Sequence, residues 1–271
     1  MIIRAGYTIS FQCPAATPLL LQLNVHPSRE SDLVSPDAVR STPSLAMETY
    51  LDLFGNPVTR VEAPGGLVTF SNEFAIRDSG LPEETPLDAP LAPVRTLPSD
   101  VLVFLLPSRY CDSDNLADFA WSRFGGKGGG TKLVQAICDF VHHRIRFDYL
   151  AANPRRTASG ALREGVGVCR DFAHLAVALC RCMNVPARYC AGYLGDIGVP
   201  PDPAPMDFSA WFEAFLNGRR HSFDARHNAP RIGRIVMARG RDAADVAIAT
   251  AFGQAPLQRF EVTTYEEAAA A

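Results

Sequence analysis

The chain has 271 residues and a net charge of −3, from 29 acidic and 26 basic side chains. It is long enough for one large domain or two modest ones, and we expect two. No run of lysines or arginines offers the basic surface that nucleic acid or an anionic membrane requires, which argues against both partners. The first residues, MIIRAGYTISFQC, include no apolar stretch of signal-peptide length, and no apolar run approaches the roughly 20 residues of a transmembrane helix. We therefore expect a cytoplasmic protein.

The cysteines are spaced irregularly and include no Cys-x-x-Cys pair. They are Cys13, Cys111, Cys138, Cys169, Cys180, Cys182 and Cys190. This spacing predicts reduced thiols rather than a disulfide framework or a zinc site, and most of them are expected to be small buried apolar groups. We expect no metal and no cofactor.

The first 80 or so residues are predicted to be strands, because β-branched and aromatic residues recur between turn signals, as in YTISFQC and GLVTFSNEFAIRDS. The spacing is typical of a β-sandwich. The proline-rich segment 81–100 cannot form a helix or a central strand, so we interpret it as a linker. We predict one domain over residues 1–95 and a second over residues 96–271, with the terminal EEAAAA frayed.

The second domain is predicted to begin with helices. A short helical segment covers residues 113–123, and the apolar positions of TKLVQAICDFVHHRIRFDY keep helical spacing. The preceding FGGKGGGTK does not fit a phosphate-binding loop, because Lys127 comes too early, Lys132 follows Thr131, and no buried strand leads in. We interpret it as a surface loop.

Cys169 is predicted to lie in the first turn of a buried helix. Gly165 and Gly167 break regular structure just before it, and apolar residues then continue nearly all round the helix until Asn184. The free N–H groups and the dipole at a helix start stabilise a thiolate, and such placements can lower a cysteine pKa from about 8.5 to between about 3.5 and 7.5. Position alone leaves two interpretations of Cys169 open, a nucleophile and an inert buried thiol.

The segment DFSAWFEAFLNGRRHSFDARHN is predicted to be a β-hairpin about Asn217-Gly218, which suits the positive φ angles of a type I′ turn. That register places Trp211 opposite Asp224. Since side chains alternate between the faces of a sheet, Ser209, Trp211 and Asp224 share one face, with Ser209 and Asp224 about 7–8 Å apart.

Two segments, GVCRDFAHLAVALCRCMNVPARYCAGYL and AWFEAFLNGRRHSFDARHN, closely resemble the bacterial transglutaminase-like family, a papain-related group of cysteine acyltransferases and peptidases. The resemblance spans most of the chain. It implies an α+β fold class, in which an N-terminal antiparallel β-sandwich precedes a transglutaminase-like, papain-like α+β domain. It also implies a triad with Cys169 as nucleophile, Asp224 as third member and a histidine directly before Ala210-Trp211. The residue at that position is Ser209.

A serine at position 209 removes the group that would accept the thiol proton and return it to a departing amine. Loss of such a base costs on the order of 10⁴ to 10⁶ in turnover, although a cysteine depends on a base less than a serine does. His227 would replace it only if the strand breaks at Ala225 and turns the ring back to the face of Asp224.

Other residues near the predicted site have structural interpretations. Trp211 is expected either to line an acyl pocket or to lie in the core. His174 is expected to pack within the helix layer, and Asp171 to stabilise the helix start. The four arginines of RIGRIVMARGRDAADVA could clamp an anionic substrate, but we expect them to pair with Asp242 and Asp245 across helix turns.

Two functions follow from this pattern. The first is a thiol enzyme that transfers or hydrolyses acyl groups through Cys169, limited to thioesters or activated esters because Ser209 cannot protonate an amine. The second is a catalytically inactive relative that keeps the pocket to bind a peptide or a partner protein. We favour the first, with Cys169, Ser209 and Asp224 as catalytic-site residues, Trp211 as the substrate contact, and a peptide, protein or small acyl compound as substrate.

Overall fold

A computed structural model describes residues 1–268 of the chain. Residues 269–271, the end of the tail that is expected to fray, lie outside the described residues. The expectation is wrong for the beginning of that tail. Glu266 ends the last strand opposite Ile3, and the main-chain N–H of Glu267 donates to the oxygen of Ile2 at 2.9 Å.

Within residues 1–268 the chain forms fourteen β-strands and five α-helices. The strands are β1 (Ile2–Cys13), β2 (Thr17–Leu21), β3 (Arg40–Thr42), β4 (Met47–Leu51), β5 (Pro57–Ala63), β6 (Gly66–Arg77), β7 (Arg146–Phe147), β8 (Val166–Gly167), β9 (Ala187–Tyr193), β10 (Ser209–Leu216), β11 (Arg219–Phe223), β12 (Ile235–Gly240), β13 (Ala249–Ala251) and β14 (Leu257–Glu266). The helices are α1 (Ser99–Leu102), α2 (Ala117–Phe124), α3 (Thr131–Arg144), α4 (Ala158–Glu164) and α5 (Cys169–Cys182). Between residues 1 and 268, none of the helices has the length and apolar character that crossing a membrane requires.

The amino-terminal part of the chain is a β-sandwich of two antiparallel four-stranded sheets, in the orders β14-β1-β6-β3 and β13-β2-β5-β4. The inward side chains of both sheets form one apolar core, which includes Ile9, Leu21 and Phe70. Burying this core between two layers is what stabilises a sandwich. The predicted α+β fold class is confirmed.

The carboxyl-terminal strands return to the sandwich. β13 pairs with β2, and β14 pairs with β1, so each adds an edge strand to a sheet whose other members come from the first 77 residues. The division into residues 1–95 and 96–271 stays a prediction, and these two strands place part of the second range inside the sandwich.

The rest of the chain packs helices against a third sheet, in the order β11-β10-β9-β12. α5 lies at the centre of this layer and contacts α3 and α4 as well as β9 and β10. Eleven of its fourteen residues are buried. The prediction of a central buried helix that begins at Cys169 is confirmed.

Polar contacts fix the start of α5. The carboxylate of Asp171, which is 1% exposed, accepts a hydrogen bond from the N–H of Val168 at 2.9 Å and pairs with Arg156 at 3.0 Å. A Cβ at Gly167 would lie 2.6 Å from that carboxylate, so only glycine fits there. Asp171 therefore stabilises the helix start, as predicted, and holds Cys169 in the first turn.

Candidate active site

Cys169 is the first residue of α5, and its side chain is half-buried. Its Sγ lies 4.0 Å from the main-chain oxygen of Phe208, the residue just before β10. Cys169 lines two cavities, and both also have Asp207, Phe208 and Ser209 in their walls. The helix start and the start of β10 therefore meet at the thiol.

The two cavities differ in size and in chemical character. The larger is a cleft of about 530 Å³, a volume common among small-molecule sites, and its walls include Tyr110, Tyr189 and several small apolar side chains. The smaller has a volume of about 70 Å³ and contains the side chains of Arg226 and His227 among its lining residues. A molecule in the cleft would approach Cys169 along apolar walls, and the polar side chains of Arg226 and His227 would lie in the smaller cavity.

The pKa of Cys169 is raised to about 11, first by burial and next by the nearby carboxylate of Asp207. Arg226 and the main-chain N–H groups of Ala210 and Arg170 act in the opposite direction. The expectation that the helix start lowers this pKa is therefore wrong for the chain as it stands, because desolvation of the thiolate outweighs the favourable dipoles. At neutral pH the side chain is a thiol.

The hairpin has the predicted register only near its turn. Asn217 and Gly218 both have positive φ, 49° and 77°, and the strands pair from Leu216 opposite Arg219 to Phe212 opposite Phe223. The second strand ends at Phe223, so the predicted pair between Trp211 and Asp224 does not form. The expectation that Asp224 shares a strand face with Ser209 and Trp211 is wrong, because the chain turns at residues 225–227.

Asp224 organises that turn. Its Oδ1 accepts hydrogen bonds from the N–H groups of Arg226 and His227, both at 3.0 Å. Its Oδ2 lies 2.8 Å from Nδ1 of His227 and 3.1 Å from a guanidinium nitrogen of Arg234. The side chain is buried, yet the hydrogen bonds from His227 and the charge of Arg234 hold its pKa well below the usual range.

Ser209 lies beside Cys169, as the resemblance implies for the residue at this position. It begins β10, is 6% exposed and lines both cavities. Its Oγ is buried and has no hydrogen-bond partner within residues 1–268. The structure therefore brings Cys169 and Ser209 together, whereas Asp224 reaches the smaller cavity through His227.

His227 is the histidine of the smaller cavity. Its Nδ1 faces the Asp224 carboxylate, and its side chain lines the same cavity as Cys169 and Ser209. This arrangement follows from the strand break before Ala225, the one condition under which the sequence allows His227 to turn back. No three His, Cys, Asp or Glu side chains in the described part of the chain are grouped so as to hold a metal ion.

Trp211 and His174 lie away from the thiol's open side. Trp211 is 2% exposed, packs with Cys190 and Val236, and lines neither cavity. Its role in substrate binding stays a prediction, and its side chain lines neither of the two cavities beside Cys169. His174 is fully buried, stacks on Tyr110 with ring centres 5.2 Å apart, and accepts a hydrogen bond at Nε2 from the N–H of Ala243, so its predicted packing role is confirmed.

The prediction for the four arginines of the segment 231–247 is mostly wrong, because residues 235–240 form β12 and not a helix. Arg241 does pair with Asp245, at 2.9 Å. The other three pair elsewhere: Arg231 with Asp196, Arg234 with Asp224, and Arg239 with Glu213. The carboxylate of Asp242 instead accepts the N–H of Tyr110 at 2.7 Å.

Two charged residues of the site are absent from the sequence-based prediction. Asp207 lies two positions before Ser209, and strand alternation from Ser209 would have pointed to it. Arg226 reaches the thiol from the turn after β11, where its guanidinium lies 3.8 Å from the ring centre of Phe147. No periodic pattern predicts the direction of a side chain in such a turn.

Known proteins resemble this chain in sequence and in fold. Residues 120–225 match the sequence profile of the transglutaminase-like superfamily, a range that includes Cys169, Ser209 and Asp224. An uncharacterized protein of Mycobacterium leprae is 27% identical over 165 residues, which is 58% of this chain and little more than half, 57%, of that protein. A crystal structure of a candidate cysteine protease from Cytophaga hutchinsonii is 29% identical, with a TM-score of 0.85 over 98% of this chain and 90% of the other.

The profile match covers α5 and the strands β9, β10 and β11, and the structural match extends over the sandwich as well. The order of elements agrees with the sequence resemblance. Residues 120–225 thus match a transglutaminase-like core domain, and the whole chain is similar in fold to the candidate cysteine protease.

Proposed function

We propose that this protein is a cysteine acyltransferase or hydrolase that acts through Cys169 on activated acyl donors such as thioesters and activated esters. The observation that carries the proposal is the position of Cys169, at the start of α5 and in the wall of a cleft of about 530 Å³. A thiol in an open cleft can receive an acyl group, whereas the buried thiols Cys138 and Cys180 cannot.

The limitation to activated donors follows from Ser209. An amide needs a proton on its departing nitrogen, and Ser209, which stands at the position of the family's histidine, cannot supply one near neutral pH. In this proposal His227 lies on the side of the attacking water and does not serve the departing group. The thiolate of a thioester or the phenolate of an aryl ester departs as a stabilised anion and needs no proton from the protein. In the first step the Cys169 thiolate bonds to the acyl carbon, the bond to the leaving group breaks, and the proton lost by the thiol passes to the leaving group through solvent.

The second step removes the acyl group from Cys169, and we propose His227 as the base for this step. Asp224 orients the imidazole through Nδ1, as an aspartate orients the base of a Cys-His-Asp triad. A water molecule in the smaller cavity attacks the acyl carbon, His227 accepts a proton from that water, and the bond to Cys169 breaks. The proton then returns to the released sulfur.

Burial of Cys169 and the unpartnered Ser209 favour one alternative, a catalytically inactive relative that binds a peptide or partner protein in the cleft. Both proposals accept the same fold and the same cavities. They differ in whether Cys169 ever carries an acyl group.

The experiment compares hydrolysis of an aryl thioester, an aryl ester and a matched anilide by the unaltered protein and by three variants. Cys169→Ala removes the nucleophile, Ser209→His introduces an imidazole beside it, and Ser209→Ala is the matched control at the same position. The enzyme proposal predicts ester and thioester turnover that Cys169→Ala abolishes, with anilide cleavage only in Ser209→His. If Ser209→His is active and the unaltered protein is not, the result would favour the inactive relative. Ester turnover that survives in Cys169→Ala would contradict the enzyme proposal.

A further inference from the structure

One side of the large cleft is a patch of small apolar side chains. Ala210 of β10 and Ala191 of β9 face each other in the sheet, and both line the cleft. The segment that follows β12 adds Ala243, Val246 and Ala247. Because alanine side chains are short, the patch leaves room next to Cys169 where larger residues would fill it.

Polar groups of this cleft are mostly engaged with the protein. The guanidinium of Arg170 donates to the main-chain oxygen of Asn153 and lies 5.4 Å from the ring centre of Tyr110. The ring of Tyr110 in turn stacks on His174. The alanine patch itself therefore carries no charge that a ligand must neutralise, and the carboxylate of Asp207 lies elsewhere in the cleft wall.

The smaller cavity on the other side of Cys169 has the opposite character. Arg226, His227 and Arg231 line it, together with the carboxylates of Asp196 and Asp207. Cys169 and Ser209 lie in the walls of both cavities. A substrate that spans the thiol would thus meet an apolar surface on one side and a charged one on the other.

We propose that the alanine patch binds an unbranched aliphatic acyl chain, with the attacking water on the side of Arg226 and His227. The inference rests on the proposed function, because it names the acyl class that Cys169 would carry. Each methylene buried against the patch loses contact with water, which strengthens binding by up to about fourfold per methylene.

The test labels the thiol and needs no turnover. Alkyl methanethiosulfonates with methyl, propyl, butyl and hexyl chains react with a thiolate, which forms a disulfide to the alkylthio group and releases methanesulfinate. Peptide mass spectrometry gives the rate at each cysteine. Cys182 is the internal control, because it is also half-buried, its pKa is also raised to about 11, and it does not line the cleft.

We expect the ratio of labelling rates, Cys169 over Cys182, to rise with chain length by up to about fourfold per methylene. Ala247→Phe, which fills the cleft, should remove the rise, whereas Ala244→Phe, on the exposed side of the same loop, should keep it. A ratio that is flat or falls with chain length in the unaltered protein overturns the proposal, even if neither variant folds. A rise that persists in folded Ala247→Phe overturns it as well.

This test separates the inference from the proposed function. If the labelling ratio of Cys169 over Cys182 rises with chain length but the protein hydrolyses no ester, the acyl-chain site stands and the enzyme proposal fails. A flat ratio with Cys169-dependent ester turnover would retain the enzyme and reject the site.

Discussion

The Nδ1 atom of His227 lies 2.8 Å from Oδ2 of Asp224, three residues earlier in the same turn. The same carboxylate also holds Arg234 and two main-chain N–H groups, while the Oγ of Ser209 has no partner in the described part of the chain. Asp224 therefore orients His227 and neutralises a buried arginine. Most contacts of the Asp224 carboxylate are therefore with the turn at residues 225–227 and with Arg234.

Asp224→Ala is expected to lower the free energy of unfolding by about 3–5 kcal/mol, because it leaves Arg234 buried without its anion. Urea denaturation followed by circular dichroism measures the change. Glu48→Ala, which breaks an exposed pair with Arg60, is the control and should change the same quantity by less than about 1 kcal/mol. An equal effect of the two substitutions would contradict this role of Asp224.

Stability should fall as the pH drops below about 6.5, the pKa of an unfolded histidine. Burial holds the pKa of His174 well below that value and lowers the pKa of His26 to about 4. The unfolded chain then binds protons that the folded chain refuses, so each such histidine removes up to about 1.4 kcal/mol per pH unit between its two pKa values. The denaturant midpoint should therefore be nearly the same at pH 7.5 and pH 6.5, and lower at pH 5.5. The variant His143→Gln, which changes an exposed histidine, is the control and should show the same dependence on pH. A midpoint that rises at acid pH would refute the assignment.

The thiolate fraction of Cys169 should respond in opposite directions to two charges. Asp207 raises the pKa of Cys169 and Arg226 lowers it. Asp207→Asn should therefore speed alkylation of Cys169 by iodoacetamide at neutral pH, on the order of two- to tenfold, and Arg226→Met should slow it. Asp118→Asn, on the exposed side of α2, is the control and should have no effect. Equal rates in all four proteins would show that neither charge acts on the sulfur.

Ser209→Ala should leave the free energy of unfolding unchanged or raise it by up to about 1 kcal/mol, because the buried Oγ has no hydrogen bond to lose. Ester turnover should also be unchanged, since the proposed steps do not use the hydroxyl. Thermal denaturation and steady-state assays provide the two measurements. A clear loss of stability would instead reveal a buried water that Ser209 binds.

Local sequence signals predicted much of the fold. Asn217-Gly218 fixed the hairpin register, and the glycines before Cys169 with the apolar run after it predicted α5. The break after Phe223 was not predictable from alternation, because the hydrogen bonds of Asp224 to the following turn compete with continued strand pairing. The return of β13 and β14 to the sandwich was also missed, since strand pairing over such sequence distance leaves no local pattern.

The meeting of Cys169 and Ser209 was predictable from the resemblance, whereas the electrostatics of the site were not. The resemblance placed Cys169, Ser209 and Asp224 in one site, and the helix start argued for a low pKa at Cys169. The raised pKa depends on Asp207 and on burial by β10, and both are consequences of packing. His227 required the strand break, so its approach to the smaller cavity depends on a single local turn.

The most direct test of the central claim is the mass of the protein after brief mixing with an aryl thioester and acid quenching, followed by peptide mapping. The account predicts one added acyl group, on the peptide that contains Cys169, and none in Cys169→Ala. Turnover of the thioester without that adduct, or an adduct that maps to another residue, would contradict it.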